Sequence, residues 1–333
     1  YLRGPAKQNI DLRLHAMVQR VELDGNRATG VTWCDKSGQH TATARREIIL
    51  SGGTFNSPQL LQLSGIGPGA LLQSHGVETK HDLAGVGENL QDHFGIGAEY
   101  RSTMRMTVND LYNNKLKGGL QLLRWLLFRT GPFADNGNYS STFICSGPEI
   151  DRPDMMVTFM AWCTDEQLTP HPFSGFTILA EHMRPNSRGH VRLTSPDPAT
   201  SPEIQFNFFA DEVDHRAALA GLKFGRQIAQ TAPMSDCVEY ELSPGKDVQS
   251  DEDLLAYCRQ NGLSLLHPVG TCKMGVDDTA VVDPRLRVHG IAGLRVADAS
   301  IMPRIVTGNT NAASIMIGEK TAAIILEDLK GAA

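Results

Sequence analysis

The chain lacks a bilayer-crossing segment: its longest apolar runs, Gly119 to Phe128 and Ala312 to Leu326, are broken by Arg124 and by Gly318, Glu319 and Lys320, too soon for a spanning helix. It also lacks a basic face. The 31 Lys and Arg are outweighed by 37 Asp and Glu, net −6 with both signs spread along the chain, which argues against a nucleic-acid partner or an anionic membrane. Cysteine pairs are missing too. Cys34, Cys145, Cys163, Cys237, Cys258 and Cys272 show no C-x-x-C and no histidine at metal-ligand spacing, so no metal centre is expected. Six free thiols suit a reducing compartment, which makes a cytoplasmic location the expectation. Tyr1 is not an initiator methionine and Leu2 to Lys7 has no signal-peptide layout, so the chain reads as the later part of something longer. No repeat or low-complexity segment occurs.

What is present is enough apolar residue, 41% of 333, to bury one large domain or two. Short β-branched runs at Ile10 to Leu14, Val18 to Leu23, Ala28 to Trp33 and Arg46 to Leu50, separated by Asp24-Gly25-Asn26 and Lys36-Ser37-Gly38, predict antiparallel hairpins ending in a buried strand. Ser51-Gly52-Gly53 follows, and Ser57-Pro58 is expected to open a helix through Gln59 to Leu63. The glycines at 65, 67, 69, 85 and 87 imply backbone lying close to another surface. Lys115 to Phe128 predicts a helix with an apolar leucine stripe. Ser140 to Cys145, Met155 to Trp162, Phe176 to Glu181, His190 to Thr194 and Glu203 to Phe206 predict a second, antiparallel sheet, and Asp211 to Gln230 and Asp251 to Asn261 two more helices. A last helix is expected to run to about Leu329.

Three places could carry chemistry. His267 stands between Leu265-Leu266 and Pro268-Val269-Gly270, where a ring is fixed by its neighbours; local context favours a structural histidine, although imidazole is the side chain best matched to proton transfer near neutral pH. The other ten histidines, His93 and His289 among them, read as surface or packing residues. Asp298 ends the strand Leu294 to Ala297 before Ala299 and Ser300, where a carboxylate can accept ribityl hydroxyls or simply cap a turn. Asn309, Thr310 and Asn311 precede a helix, so capping competes with stabilisation of a bound anionic ring.

Together these places form a pattern. Gly53-Thr54-Phe55-Asn56-Ser57-Pro58-Gln59-Leu60-Leu61-Gln62-Leu63-Ser64-Gly65-Ile66-Gly67 resembles the second signature of the glucose-methanol-choline (GMC) oxidoreductases. Gly85 to His93, His267 to Thr271, Leu294 to Ser300 and Thr307 to Ala312 resemble further blocks of that family, in its order and approximate spacing. The resemblance implies oxidation of an alcohol to an aldehyde with FAD: His267 takes the hydroxyl proton, the α-carbon gives a hydride to flavin N5, and Asn309 holds the substrate oxygen. It further implies that Asp298 and Ala299 lie along the ribityl and pyrophosphate part of FAD, Thr310, Asn311 and Ala312 near the pyrimidine ring, and Val18 beside the adenine. Asparagine at 309 is the choline-dehydrogenase-like choice. Oxygen or a quinone is the implied electron acceptor.

The implied fold class is α/β (α+β). An FAD-binding Rossmann-like domain, incomplete here, spans residues 1–93 and 285–333; a substrate domain with an antiparallel sheet flanked by helices spans 94–284. The family's opening G-x-G-x-x-G turn is missing, since the glycines at 65, 67 and 69 follow a helix and not a strand, so Tyr1 to Ala333 alone is expected to bind FAD weakly and to be inactive. A quaternary ammonium is usually held by aromatics or a carboxylate. Leu266 precedes the histidine and Asn136 to Thr142 offers Ser140 and no acid, so a less polar or uncharged primary alcohol is the expected substrate. A flavin-containing lyase of the hydroxynitrile-lyase kind and a non-catalytic binding module are the alternatives.

Overall fold

The computed structural model describes residues 4–331 except Met106, Asn136 and Glu166. Tyr1 and Asn136 therefore lie outside the described residues. Strands β1 (Met17–Asp24), β2 (Arg27–Asp35) and β3 (Gly38–Thr43) form an antiparallel sheet in that order, with Gly25 at φ 52° in the first turn. The run Ile10 to Leu14 is not a strand. Ile10, Leu12 and Leu14 are exposed and pair with no strand among the described residues, so their alternation buries against nothing there.

Strand β4 (Ile48–Leu50) does not continue those hairpins. It pairs in parallel with β16 (Leu294–Val296), Ile48 opposite Leu294, which brings the C-terminal third of the chain against its start. Helix α1 (Gly53–Leu63) begins four residues before the expected Ser57, and Pro58 lies inside it. Proline there removes the N–H that would reach the Thr54 carbonyl. The Thr271 hydroxyl donates to that carbonyl instead, at 2.6 Å, while the Thr54 hydroxyl donates to the Pro268 carbonyl at 2.7 Å. The helix is thus sewn to the His267 segment.

Beyond it, β5 (Ile66–Gly67), α2 (Gly69–Ser74) and β6 (His81–Asp82) form a small parallel unit. The surface that the glycine-rich stretch approaches is the chain itself. A Cβ at Gly85 would stand 2.1 Å from the Thr279 carbonyl oxygen, and one at Gly87 2.1 Å from that of Val191. Strand β7 (Glu88–Leu90) joins a three-stranded sheet with β12 (Gly189–Arg192) and β13 (Glu203–Gln205).

The large sheet is antiparallel, in the order β14 (Val238–Ser243), β8 (Phe94–Ser102), β11 (Gly175–His182), β10 (Met155–Met160), β9 (Asn138–Ile144), with β15 (Leu263–Ser264) on β8. β12 and β13, expected within it, pair with each other instead, and β12 also pairs with β7. Helices α3 (Val108–Asn113) and α4 (Lys115–Phe128) precede β9, and α5 (Glu212–Gln230), α6 (Asp251–Asn261) and α7 (Thr310–Gly331) follow β13. α5 begins at its Asp211 cap, whose side chain accepts from the Val213 N–H, and lies on the sheet with Gly225 against Ile178. The leucine stripe predicted for α4 exists, but no residue of that helix is buried, and Leu116 is 75% exposed.

Two apolar cores result. One gathers Leu50, Leu61, Ile66, Leu294, Val296 and Ile317; the other gathers Ile96, Met155, Ile178 and Leu222. Val269, Cys272, Val281 and Val282 pack in the first core, although they precede the expected boundary at 285.

Candidate active site

His267 is placed by the strand-end segment Gln91-Asp92-His93. Gln91 and Val269 exchange backbone hydrogen bonds of 3.0 and 2.9 Å, and the Leu265 N–H donates to the His93 carbonyl at 3.0 Å, so His267 runs antiparallel to His93. The Asp92 carboxylate receives the His267 backbone N–H at 2.9 Å and the Ser264 hydroxyl, pinning the peptide on both sides of the exposed Leu266. Burial pushes the Asp92 carboxyl above its ordinary range, and those two donors oppose the push.

The same segment also holds the stretch that leads to Asn309. The Gln91 side-chain amide donates to the Pro303 carbonyl at 3.2 Å and accepts from the Ile305 N–H at 3.2 Å. The Asn89 amide reaches both Gly270 and Pro303 carbonyls, at 3.2 and 3.3 Å. Two segments far apart in sequence are therefore registered against one edge. The outcome is a contact of 2.9 Å between Asn309 Nδ2 and His267 Nε2, across 42 positions.

On its other side the imidazole meets a buried pair. His267 Nδ1 lies 3.0 Å from His93 Nδ1, the rings stand edge to face at 5.1 Å, and Glu181 Oε1 on β11 lies 2.9 Å from His93 Nδ1 and 3.9 Å from His267 Nδ1. These three donor atoms lie within 4.8 Å of one another, a grouping with no signature in sequence spacing. Burial, and His93 beside it, push the His267 imidazole below its ordinary pKa, while Glu181 and Asp92 pull it up.

The Asp298 carboxylate is fully engaged by the chain. One oxygen takes the Gly53 N–H at 2.9 Å and the Ser57 hydroxyl at 2.5 Å; the other takes the N–H and hydroxyl of Ser300 at 2.8 and 2.5 Å. It clamps the start of α1 to the turn Ala299–Ile301, and Ala299 and Gly270 are joined by a backbone hydrogen bond of 3.4 Å. Thr310, Asn311 and Ala312 form the first turn of α7, next to Asn309, with Asn311 and Ala312 exposed. Val18 stands apart on β1, opposite Trp33, with no hydrogen bond or ring contact to the histidine cluster among the described residues.

His93, read as a surface or packing residue, is fully buried and packs against His267. Its place after Gln91-Asp92, inside a family-like block, was the available signal. Glu181 and Asp92 were missed as well. For Glu181 the signal is its strand, since β11 is buried on both faces and a carboxylate there needs a partner.

Two sequence profiles, both described as GMC oxidoreductase, match residues 1–95 and 185–318, and the chain belongs to that family. Among its relatives are oxygen-dependent choline dehydrogenases of Staphylococcus xylosus, 37% identical over 96% of this chain and 57% of the relative, and of Escherichia coli O17:K52:H18, 39% identical over 97% and 58%. One from Pseudomonas putida KT2440 is 40% identical over 94% and 56%. The chain thus spans little more than half the length of these relatives. Among solved structures, formate oxidase of Aspergillus oryzae RIB40 superposes with a TM-score of 0.88 at 29% identity, covering 95% of this chain and 60% of the oxidase. A fungal aryl-alcohol oxidase gives 0.80 at 27%, covering 95% and 61%. No helix among the described residues is long and apolar enough to cross a membrane.

Proposed function

We propose that the protein oxidises an alcohol to an aldehyde with FAD, with His267 as the base and Asn309 as the group that holds the substrate oxygen. The observation that carries this reading is the 2.9 Å meeting of His267 Nε2 and Asn309 Nδ2. A substrate hydroxyl seated against both would present its proton to the imidazole and its oxygen to the amide N–H. Burial keeps the imidazole neutral, hence able to accept, near neutral pH.

FAD supplies the hydride acceptor when bound. The residues fit such a group: the first N–H groups of α7 at Thr310, Asn311 and Ala312 lack intrahelical partners and open beside Asn309, suited to the electron-rich edge of a flavin ring. Asp298, being satisfied by Gly53, Ser57 and Ser300, serves this reading by fixing the Ala299 turn and not by a free oxygen. Val18 as the adenine contact rests on the family resemblance. So does the division into an FAD-binding part, 1–93 and 285–333, and a substrate part, 94–284. Oxygen or a quinone is the proposed acceptor. A cytoplasmic location is supported by six unpaired thiols.

The relatives' names make choline the first alcohol to try, and Leu266 before the histidine favours uncharged primary alcohols. The test is a panel of both on the full-length, FAD-loaded protein with an artificial electron acceptor, plus anaerobic bleaching of the flavin. Turnover is expected to fall by roughly 10²- to 10⁴-fold in His267→Ala. Unchanged turnover in that variant overturns the assignment of the base, and substrate conversion without bleaching overturns oxidation in favour of a lyase.

A further inference from the structure

The base has a second side, and the Glu181 side chain lies there. We infer that Glu181, seated on His93, is the counter-ion of His267 in its protonated state, so that the carboxylate sets how strongly this imidazole holds a proton. The inference deepens the reading of His267 as the base and rests on it.

Geometry carries the argument. Glu181 is 3% exposed, and its Oε1, though 2.9 Å from His93 Nδ1 and 3.9 Å from His267 Nδ1, has no aligned hydrogen-bond donor among the described residues. A buried carboxylate oxygen without a donor is costly, and it is relieved when a nearby group becomes a cation. His267 becomes that cation when the substrate O–H bond breaks and an N–H bond forms at Nε2. The imidazolium then carries N–H on both nitrogens, and the Nδ1 N–H faces His93 Nδ1 and the carboxylate. Nothing has to move for the new charge to be met.

The other groups around the ring contribute less or not at all. Asp92 also pulls the imidazole up, but less than Glu181, and its oxygens accept from the His267 backbone N–H and from Ser264. Asn309 faces Nε2 and is neutral. His93 lies between the charges and, if it took the proton itself, would oppose a second one on His267; the carboxylate beside it offsets that repulsion. Glu181 acts through His267 and does not reach the substrate side, which makes it a positioning residue.

An opposite charge at this range changes proton affinity by roughly ten- to thousand-fold. The experiment follows the His267 ring by ¹⁵N-histidine NMR across pH in the wild-type chain and in Glu181→Gln, with the resonance assigned by its loss in His267→Gln. The Gln variant keeps shape and removes charge, and its His267 midpoint is expected at least tenfold lower in proton affinity, one pH unit further acid. An unchanged or raised midpoint overturns the inference. Should the Gln variant fail to fold, Glu181→Asp keeps the charge one methylene further away. A smaller drop is expected there, and a midpoint at or above wild type overturns the inference. In the full-length, FAD-loaded protein the acidic limb of kcat/KM is expected to move with the NMR midpoint, which a purely structural Glu181 would not cause. Loss of the base assignment would show separately, as undiminished turnover in His267→Ala.

Discussion

Thr271 donates its hydroxyl to the carbonyl of Thr54, the one acceptor in helix α1 that Pro58 leaves without its usual N–H. Thr271 is fully buried, and Thr54 returns a bond to Pro268, one residue beyond His267. The proline therefore creates a vacancy that ties the helix to the active-site segment.

Thr271→Val removes the hydroxyl at nearly constant volume and leaves a buried carbonyl without a partner, at a cost of about 1 to 3 kcal/mol. Thr271→Ser keeps the donor and is expected to lose less. Denaturant midpoints of the two variants check this, and a larger loss in Thr271→Ser than in Thr271→Val would place the effect in the methyl group instead.

This bond also marks how far the sequence could be read. The elements with strong periodicity were legible: Lys115 to Phe128, the helix after Asp211 and the one from Asp251 all formed within a residue of expectation. The family-like blocks led to His267 and Asn309, which do meet. Partnering was not legible, because it depends on which strands find each other: β4 pairs with β16, 246 positions away, and Ile10 to Leu14 pairs with no strand among the described residues. Glu181 stayed hidden for the same reason. Its meaning comes from two histidines on other segments, and no spacing along one segment encodes that contact.

Leu266 carries strain beside the base. Its φ is 62°, a region that costs a branched residue of this kind roughly 1 to 2 kcal/mol, yet 83% of it is exposed, so packing returns little. Leu266→Gly relieves the conformation while losing little burial, and is expected to raise the melting temperature slightly. A lower melting temperature would mean that the leucine is covered when the protein is at work.

Arg226 on α5 holds Glu241 on β14 through three N–H contacts of 2.6 to 3.2 Å, with both side chains largely buried. Arg226→Ala strands a carboxylate in a partly dry site and is expected to destabilise by about 3 to 5 kcal/mol. The double variant Arg226→Met with Glu241→Leu, which removes both charges, is expected to recover a large part of that loss. Chemical denaturation of the three proteins tests it, and a double variant no better than Arg226→Ala would show that the pair serves packing and not charge.

The pH dependence follows from the same imidazole that is proposed to do the chemistry. His267 has its pKa lowered in the folded protein, first by burial and then by His93. The fold therefore prefers the neutral ring, and the unfolded chain, with a pKa of about 6.5, binds the proton more readily. The contribution of His267 to stability is fully present above the unfolded value and is lost as pH falls through the folded value. Catalysis has the same sign, because a protonated ring cannot accept the substrate proton. The acidic limb of kcat/KM is thus expected below the ordinary imidazole range, with His267→Gln abolishing both the limb and this part of the acid destabilisation. A limb centred above the ordinary imidazole range would show that a different group governs the acid side.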